Sequence, residues 1–370
     1  MTAPRIVIIA NNIDEVGGAQ RVVHVVGEGL ARRGYEVELV GVAPVEPRHE
    51  FIADPSCVRH VLMSAPWPAP SPQHEAARAR LRAEAVDRLG AVLGTGRPGV
   101  IVTAQLWAME HVAEVPHDEW AVIGQYHSSY AAARQGRDWA RAMELYRDVD
   151  AFTLLTPEDA RRFRQDGLNN TSWLPNPLAL WPEAPVAGSA RQVTYVGRLS
   201  SEKGVRFLLD AWAHVAKAWP DWSLRLVGSG PDEKALRKQA AALESAHGDL
   251  RIAFEAPVTD VLGVYADAGI VVLPSLTEGL PLVLAEAMAC GLPCIAANCS
   301  PGVALLAEDG AAARLAPRGN ATALADAIAS LMADPQGRSE LGQRARRAME
   351  PYRLDAVLDR WERLLAAVLR

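Results

Sequence analysis

Short apolar runs alternate along this chain with longer stretches in which apolar residues recur at helical spacing. In the first helical stretch, over residues 19–34, Val22, Val26 and Leu30 repeat at i, i+4 and i+8. This alternation is typical of a parallel sheet whose strands are joined by helices. The predicted strands of the first half cover residues 5–10, 37–42, 100–104, 121–125, 152–155 and 172–174.

The alternation restarts after residues 175–189, which are rich in proline and poor in charge. We therefore predict a first α/β domain over 1–177, a linker over 178–190, a second α/β domain over 191–352 and a C-terminal helix over 353–370. The cleft between two such domains is the expected ligand site. In the second half, strands are predicted over 193–197, 224–228, 252–254, 270–274 and 294–297, and helices over 204–219, 232–246, 281–290, 321–334 and 354–369.

Length and composition are those of a globular protein of about two domains. Of the 370 residues, 49% are hydrophobic and 22% are charged, which excludes an intrinsically disordered chain. The balance of 38 basic and 44 acidic residues disfavours nucleic-acid binding, because a phosphate backbone requires a basic surface. Glycine and proline interrupt the longest charge-free run, 287–307, and the chain begins without a signal-peptide pattern. We expect a cytoplasmic protein without a transmembrane helix.

The cysteines and an arginine-rich helix have ordinary structural interpretations. The cysteines lack CxxC spacing and neighbouring histidines, which favours buried thiols over a zinc site. A proline-rich loop over 67–73 precedes a predicted helix that carries both arginines and acidic residues. The default interpretation of this helix is a solvated face, and contact with a membrane or an acceptor is the alternative. The cysteines are Cys57, Cys290, Cys294 and Cys299, and the arginines are Arg78, Arg80, Arg82 and Arg88.

The strongest motif joins two glutamates, Glu278 and Glu286, across the start of a predicted helix. The backbone amides at this helix start, together with the helix dipole, favour an anion. The glutamates are suited to accept hydrogen bonds from hydroxyl groups on either side of a phosphate, such as those of a sugar and a ribose. The other interpretation of Glu278 is a simple charge partner at the helix N-terminus. The predicted anion site comprises Gly279, Leu280, Pro281 and Leu282.

Two cations follow the first predicted strand of the second half. Arg198 comes directly after Gly197, and Lys203 precedes the next helix. Together they could neutralise a diphosphate leaving group without a metal, Arg198 as a planar fork and Lys203 as a point charge. A solvated lysine is the default for Lys203 alone, but the chain has only four lysines, and the pairing with Arg198 favours the functional role.

Three weaker signals lie at other predicted strand ends. The pair Gly17 and Gly18 precedes a helix and permits close approach of a phosphate, although it is also typical of a plain turn. Gly228 belongs to a G-x-G sequence that lacks the third glycine of a dinucleotide fingerprint. His127 follows a strand of the first half, where either a cleft-facing role or a packing role fits.

The motifs from Gly197 to Gly204 and from Glu278 to Glu286, the glycine pair at 17–18 and the Pro-Asn-Pro segment at 175–177 together resemble glycosyltransferase family 4. That family consists of retaining enzymes with the GT-B fold, two Rossmann-like α/β domains facing a central cleft. The resemblance covers nearly the whole chain in the correct order. It implies that the second domain binds a nucleotide-diphosphate sugar and the first domain an acceptor, with the C-terminal helix packed back on the first domain.

The resemblance also implies a role for each candidate residue. Catalytic roles fall to His127, near the reacting sugar, and to Glu278, Arg198 and Lys203. Glu278 would bind the donor sugar, and Arg198 and Lys203 the diphosphate. The other donor-binding residues would be Glu286 at the ribose, Val258 at the base, Gly17 and Gly18 at the phosphates, Gly228, and the helix start from Gly279 through Leu280 and Pro281 to Leu282.

The expected function is retaining, metal-independent transfer of a sugar from a nucleotide-diphosphate donor to an acceptor hydroxyl, with UDP favoured and GDP next. No cofactor is expected beyond the nucleotide sugar as co-substrate. A GT-B nucleotide-sugar epimerase and a non-catalytic nucleotide-sugar sensor remain the alternatives. The acceptor is open, with a cell-envelope glycan and a secondary metabolite both compatible. The expected location is cytoplasmic, with at most peripheral contact with the inner membrane face and no nucleic-acid partner.

Overall fold

The computed structural model describes residues 4–52 and 55–369. The chain forms two compact units. The first comprises Met1–Pro177 together with Leu354–Arg370, and the second comprises Leu178–Arg353. Each unit is built on its own parallel sheet, so the prediction of two parallel-sheet α/β domains is confirmed.

The first unit contains a seven-stranded sheet in the order β3-β2-β1-β4-β5-β6-β7, in which all neighbours are parallel. Strand β1, which has a neighbour on each side, is buried along its whole length, as a strand covered on both faces must be. Ile6 on it pairs with Val37 on one side and Val100 on the other. The strands are β1 (Arg5–Ala10), β2 (Glu36–Gly41), β3 (Val58–Val61), β4 (Val100–Thr103), β5 (Ala121–Tyr126), β6 (Ala151–Leu154) and β7 (Thr171–Trp173).

Helices join the successive strands of this sheet except β2 and β3, between which the described residues contain no helix. The second helix packs an apolar face into the core. This face is formed by buried residues that recur every four positions, namely Leu81, Ala85 and Leu89. The helices are α1 (Gly18–Arg32), α2 (Glu75–Leu93), α3 (Leu106–Val112), α4 (Tyr130–Gln135), α5 (Asp138–Leu145) and α6 (Pro157–Gln165).

The second unit contains a six-stranded parallel sheet in the order β10-β9-β8-β11-β12-β13. Its strands β8 and β11 are neighbours, which brings the two strongest sequence motifs to adjacent strand ends. The strands are β8 (Gln192–Val196), β9 (Ser223–Val227), β10 (Ile252–Glu255), β11 (Ile270–Leu273), β12 (Cys294–Asn298) and β13 (Arg314–Pro317). The helices are α7 (Val205–Val215), α8 (Glu233–His247), α9 (Val261–Ala266), α10 (Leu282–Ala289), α11 (Pro301–Leu306), α12 (Ala321–Ala333) and α13 (Pro335–Ala348).

The last helix, α14 (Leu354–Val368), belongs to the first unit and packs on α1. Leu358 lies so close to Gly29 that a Cβ added at this glycine would be 2.7 Å from a leucine methyl carbon. Beside this contact, the Arg33 guanidinium donates to Asp359 at 2.7 Å and to Glu362 at 2.6 Å. Apolar packing and charge pairing therefore hold α14 on the same face of α1.

The sequence pattern does not predict the edge strands β3 and β13 or seven of the helices. Both strands have a single neighbour and expose polar residues, so their sequences lack a buried apolar run. The predicted helix over 204–219 is also too long, since α7 ends at Val215 and a short 3₁₀ turn follows. The unpredicted helices are α3, α4, α5, α6, α9, α11 and α13, most of which span only two turns or fewer.

Replacing Leu358 by alanine should destabilise the first unit. The side chain is 2% exposed, and its loss leaves a cavity against Gly29, which costs about 2–5 kcal/mol. Urea unfolding of the full chain measures the change. Leu369→Ala is the control, because Leu369 is 41% exposed and its replacement should stay within about 0.5 kcal/mol of wild type. Equal losses in the two variants would contradict the packing of α14 on α1.

Candidate active site

The loop after β8 carries the two predicted cations. Gly197 follows the strand, and the exposed side chain of Arg198 comes next. The Tyr195 hydroxyl donates to the Arg198 carbonyl oxygen at 2.8 Å and so fixes the backbone at this position. Burial of Tyr195, reinforced by the charge of Glu278, raises the pKa of its phenol well above the usual range, so the hydroxyl remains a donor.

Lys203 and Glu278 meet although 75 positions separate them in the chain. The Lys203 Nζ lies 2.7 Å from Oε1 of Glu278, and the Ser275 hydroxyl donates to the same oxygen at 2.7 Å. The Glu278 side chain is 9% exposed and the Lys203 side chain 27%, so this pair is more shielded from water than an ordinary surface ion pair. Because both contacts use Oε1, the second oxygen, Oε2, is left to accept a further hydrogen bond.

A close backbone approach produces this meeting of Lys203 and Glu278. Gly204, directly after Lys203, has a left-handed backbone with φ of 64°, and a Cβ there would lie 2.2 Å from the Pro274 carbonyl oxygen. The Leu276 amide donates to the Glu202 carbonyl oxygen at 2.8 Å in the same contact. Only glycine fits at position 204 without moving one of the two backbones.

Helix α10 follows the glutamate loop. It begins at Leu282, with Pro281 as the N-cap residue in an extended conformation (ψ 111°), whereas the sequence indicates a start at the proline itself. The amides of the first helical turn have no acceptor within the helix, and they follow Glu278 closely in sequence. Glu286, further along α10, is 2% exposed. Gly279 and Leu280 complete the connection from Glu278 to the helix.

The remaining donor-site candidates of the second unit lie at neighbouring strand ends. Gly228 follows β9 so closely packed against the β8 loop that a Cβ there would be 1.9 Å from the Gly197 carbonyl oxygen. Val258 follows the edge strand β10 and is 45% exposed, an unusual position for a valine side chain. The donor-site candidates of the second unit outside helix α10 therefore all follow the carboxyl ends of strands of one sheet. They include Arg198, Lys203, Gly228, Val258 and Glu278.

The glycine pair of the first unit lies at the start of α1. Gly17 is the N-cap residue, and Gly18 is the first, exposed residue of the helix. The preceding loop is fixed by Asn12, which donates to Glu15 at 2.9 Å and accepts from Gln20 at 3.3 Å. The pair thus stands at the carboxyl end of β1, with a 15-residue helix behind it.

His127 directly follows β5 and is half-buried. Its Nδ1–H donates to Oδ1 of Asn176 at 3.2 Å, while Nε2 is buried and has no hydrogen-bond partner among the described residues. Burial lowers the pKa of His127 to about 4, an effect that the Asn176 contact opposes. The imidazole is therefore neutral at pH 7, with the Nε2 lone pair available as an acceptor.

Sequence reasoning missed three partners of the candidate residues. Ser275 orients Glu278, Tyr195 fixes the Arg198 backbone, and Asn176 sets the tautomer of His127. Position 176 carried a signal, because an asparagine between two prolines is an unusual segment. Ser275 and Tyr195 carried none, since a serine after a strand and a tyrosine within one are common.

Among the residues that the structure describes, no group of three or more His, Cys, Asp and Glu side chains is arranged to hold a metal ion. In the same residues no helix is both long and apolar enough to cross a membrane.

The cysteines are free, and burial raises the pKa of Cys290 to about 12. Cys299 departs from the expectation of fully buried thiols, because it is partly exposed.

Comparison with known proteins identifies the class of the chain. The model described as Glycosyltransferase Family 4 matches residues 16–180, and the model described as Glycosyl transferases group 1 matches residues 182–348. The fold and these matches define a glycosyltransferase with the GT-B fold. The chain belongs to the family 4 type of these enzymes.

Individual relatives agree with this assignment. An uncharacterized glycosyltransferase of Haemophilus influenzae is 29% identical over 96% of this chain and 98% of its own length. Sucrose-phosphate synthase of Thermosynechococcus elongatus has the same fold, with a TM-score of 0.81, 22% identity and 99% of each chain covered. The Anabaena protein HepE, crystallised with UDP, superposes with a TM-score of 0.78 at 19% identity over 98% of this chain and all of its own.

Gly204→Ala should cost more stability than Gly34→Ala. Both glycines have a positive φ, which costs an alanine about 1–2 kcal/mol, but only position 204 adds a clash with a carbonyl oxygen. We expect urea unfolding to show a further loss of at least about 1 kcal/mol at position 204. Gly34 is the matched control, since nothing lies within 4 Å of a Cβ built there. Equal losses of unfolding free energy in the two variants would show that the loops of Gly204 and Pro274 can move apart at little cost, which would contradict a fixed contact between them.

His127→Gln should make the folded state less sensitive to acid. Because the pKa of His127 is lowered to about 4, the unfolded chain takes up a proton between pH 6.5 and pH 4 that the folded chain does not. The free energy of unfolding therefore falls as the pH falls through this window. We expect the loss between pH 7 and pH 5 to be about 2 kcal/mol smaller in the variant. His247→Gln, at an exposed position, is the control, and an unchanged loss in H127Q would contradict a neutral His127.

Proposed function

We propose that this glycosyltransferase transfers a sugar, with retention of anomeric configuration, from a nucleotide-diphosphate donor to an acceptor hydroxyl. The observation that carries the proposal is the meeting of Lys203 and Glu278 beside the start of α10. This arrangement combines a cation and helix amides, suited to a diphosphate, with a carboxylate suited to sugar hydroxyls. It requires no cofactor besides the nucleotide sugar.

The donor diphosphate would bind Lys203, the exposed guanidinium of Arg198 and the first-turn amides of α10. In the structure the charge of Lys203 is balanced by Glu278, with Nζ 2.7 Å from Oε1. A diphosphate would share this lysine, and Glu278 would then accept a hydroxyl of the transferred sugar through Oε2. Glu286, buried in the same helix, would accept the ribose hydroxyls. Gly228, packed against the Gly197 carbonyl oxygen, would present its backbone to the donor at the neighbouring strand end, and the exposed Val258 would lie at the base.

The proposed reaction needs no metal. The bond between the anomeric carbon and the diphosphate oxygen breaks, and the leaving diphosphate takes the electron pair. Arg198, Lys203 and the α10 amides stabilise the charge that develops on it. The acceptor oxygen forms the new bond on the face that the diphosphate leaves, and the acceptor proton passes to a phosphate oxygen of the leaving group. Configuration is retained because both events occur on one face of the sugar.

The residues of the first unit complete this mechanism in the proposal. His127 is neutral at pH 7, so its Nε2 would accept a hydrogen bond from a hydroxyl of the donor sugar. The start of α1 at Gly17 and Gly18 would lie against the donor phosphates, since glycines there add no side chain that could obstruct them. The first unit would also hold the acceptor.

UDP is the favoured nucleotide and GDP the next. The binding of UDP by the structurally similar HepE supports this order, although that similarity itself concerns the fold. A cell-envelope glycan or a secondary metabolite would supply the hydroxyl. The reaction would take place in the cytoplasm, with at most peripheral contact with the inner face of the membrane.

The donor site is tested by nucleotide binding to the full chain. We expect one of UDP, GDP, ADP and dTDP to raise the melting temperature, and Glu286→Ala to remove that rise. Lys203→Ala should weaken the same binding and reduce turnover by roughly 10²-fold, because it removes a fixed charge at the leaving group. Lys217→Ala is the matched control, since Lys217 is exposed and lies outside the site. Near-normal turnover in Lys203→Ala would overturn the proposed role of Lys203.

Proton NMR of a donor–acceptor mixture tests the reaction itself. A product with the anomeric configuration of the donor supports retention, and an inverted product contradicts it. A change in the donor sugar without any acceptor would identify an epimerase. Binding of a nucleotide sugar without turnover across a broad acceptor panel would identify a sensor.

A further inference from the structure

A cavity of about 460 Å³ in the first unit involves none of the residues assigned above. It lies between the proline-rich loop that follows β3 and the first two turns of α2. A volume of this size accommodates a small ligand such as a sugar ring with its substituents. Its lining includes Trp67, Ser71, Pro72, Glu75, Arg78 and Arg82.

The cavity is at the carboxyl edge of the seven-stranded sheet. The loop with Trp67 follows the carboxyl end of β3, and Trp107, which contacts Trp67, follows the carboxyl end of β4. His127 follows β5 at the same edge. Ligands of open parallel sheets bind at this edge, so the cavity lies where a substrate of the first unit is expected.

Trp67 provides a rigid aromatic wall. Its ring packs against Trp107 with the centroids 5.3 Å apart and the planes tilted by 55°. The Arg78 guanidinium lies over the Trp67 ring, 4.8 Å from its centroid. The Trp67 indole is half-buried and lines the cavity, where its uncovered apolar edge suits contact with the C–H groups of a sugar ring.

Two buried polar atoms at this cavity lack hydrogen-bond partners. Among the described residues, Nε of Arg78 and the hydroxyl oxygen of Ser71 are both buried and unpartnered. A buried donor without an acceptor is costly, and native structures seldom keep one without a reason. Arg82 provides the contrast, because its Nε donates to Glu114 at 2.7 Å. The Arg78 guanidinium makes no ion pair within the described part of the chain.

We propose that this cavity binds an acidic sugar, meaning a sugar ring that carries a carboxylate or a phosphate, as part of the acceptor. The Arg78 side chain would shift to bring the buried Nε and an adjacent N–H to the anion, the side-on fork that matches carboxylate and phosphate oxygens. Ser71 would donate to the same anion. Glu75 would accept from ring hydroxyls, and the uncovered edge of Trp67 would contact the C–H groups of the ring. The proposal rests on the proposed glycosyl transfer, since it names the acceptor class of that reaction.

The other charges of α2 indicate that the helix does not act as a broadly charged binding surface. They favour binding of a small ligand in the cavity instead. Arg88 is paired with Glu84 at 2.6 Å, and Glu84 also accepts from the Ser64 hydroxyl at 2.8 Å. Arg80 is exposed and does not line the cavity. The other charges of α2 thus lie on a solvated face and largely offset one another. Arg78 differs from them because it lines the cavity, lies over Trp67 and has a buried Nε without a partner among the described residues.

Calorimetric binding to the full chain tests the proposal with three probes: methyl β-glucuronide, glucose 6-phosphate and methyl β-glucoside. We expect one or both acidic probes to bind at least about tenfold more tightly than the neutral glucoside. Arg78→Gln should weaken this binding about tenfold or more, because it removes the charged fork. Ser71→Ala should weaken it several-fold with less effect on folding. Arg80→Gln is the matched control on the same helix and should bind as wild type does.

Comparison of the glucuronide with the sugar phosphate decides which anion the cavity prefers. The proposal is overturned if the neutral glucoside binds as tightly as both acidic probes, if no probe binds at 10 mM (about a hundredfold above a Kd of 0.1 mM), or if Arg80→Gln weakens binding as much as Arg78→Gln. Nucleotide binding is measured on the same variants. Arg78→Gln should leave it unchanged, so a failure of the acidic-acceptor proposal and a failure of the donor-site proposal give different results.

Discussion

Lys203 and Glu278 come into contact because two loop backbones of the second unit touch without a side chain between them. The left-handed Gly204 rests on the carbonyl oxygen of Pro274, and this contact sets the position of the residue before it. An ion pair alone would not fix the loops, because the desolvation of two charges offsets much of their attraction. Here the backbone contact supplies the geometry, and the Ser275 hydroxyl supplies a second donor to the carboxylate. The candidate chemistry of the second unit depends on this one approach.

The first unit uses the same edge of its sheet differently. At this edge His127 is neutral at pH 7, because burial lowers its pKa to about 4, and the Arg78 guanidinium has no ion-pair partner among the described residues. In the described part of the chain, the buried side-chain atoms of this unit without hydrogen-bond partners include Nε2 of His127 and Nε of Arg78. In the second unit the charge of Lys203 is paired with Glu278 within the protein, whereas the Arg198 side chain is exposed.

An acidic protein can still concentrate positive charge where an anion binds. The chain carries a net charge of −6, yet Arg198 is exposed beside the Lys203 loop, and the helix start of α10 adds partial positive charge. Fields of this kind act over a few ångströms in water and salt, so the overall balance of charge has little influence on them. Net charge therefore argued against nucleic acid as a partner without arguing against a diphosphate.

The sequence by itself determined the parallel α/β architecture and the strand ends that carry the motifs. Strand β11 is apolar throughout and β1 is apolar after Arg5, since both are covered on both faces, and such apolar runs are visible in the sequence. The edge strands β3 and β13 and helices of six to nine residues, such as α4 and α6, were not visible, because exposed edges and one or two turns impose no apolar period. Only the tertiary structure decided which side chains meet. The contacts of Lys203 with Glu278 and of His127 with Asn176 depend on strand order and on backbone approach, and neither is encoded in the spacing of residues along the chain.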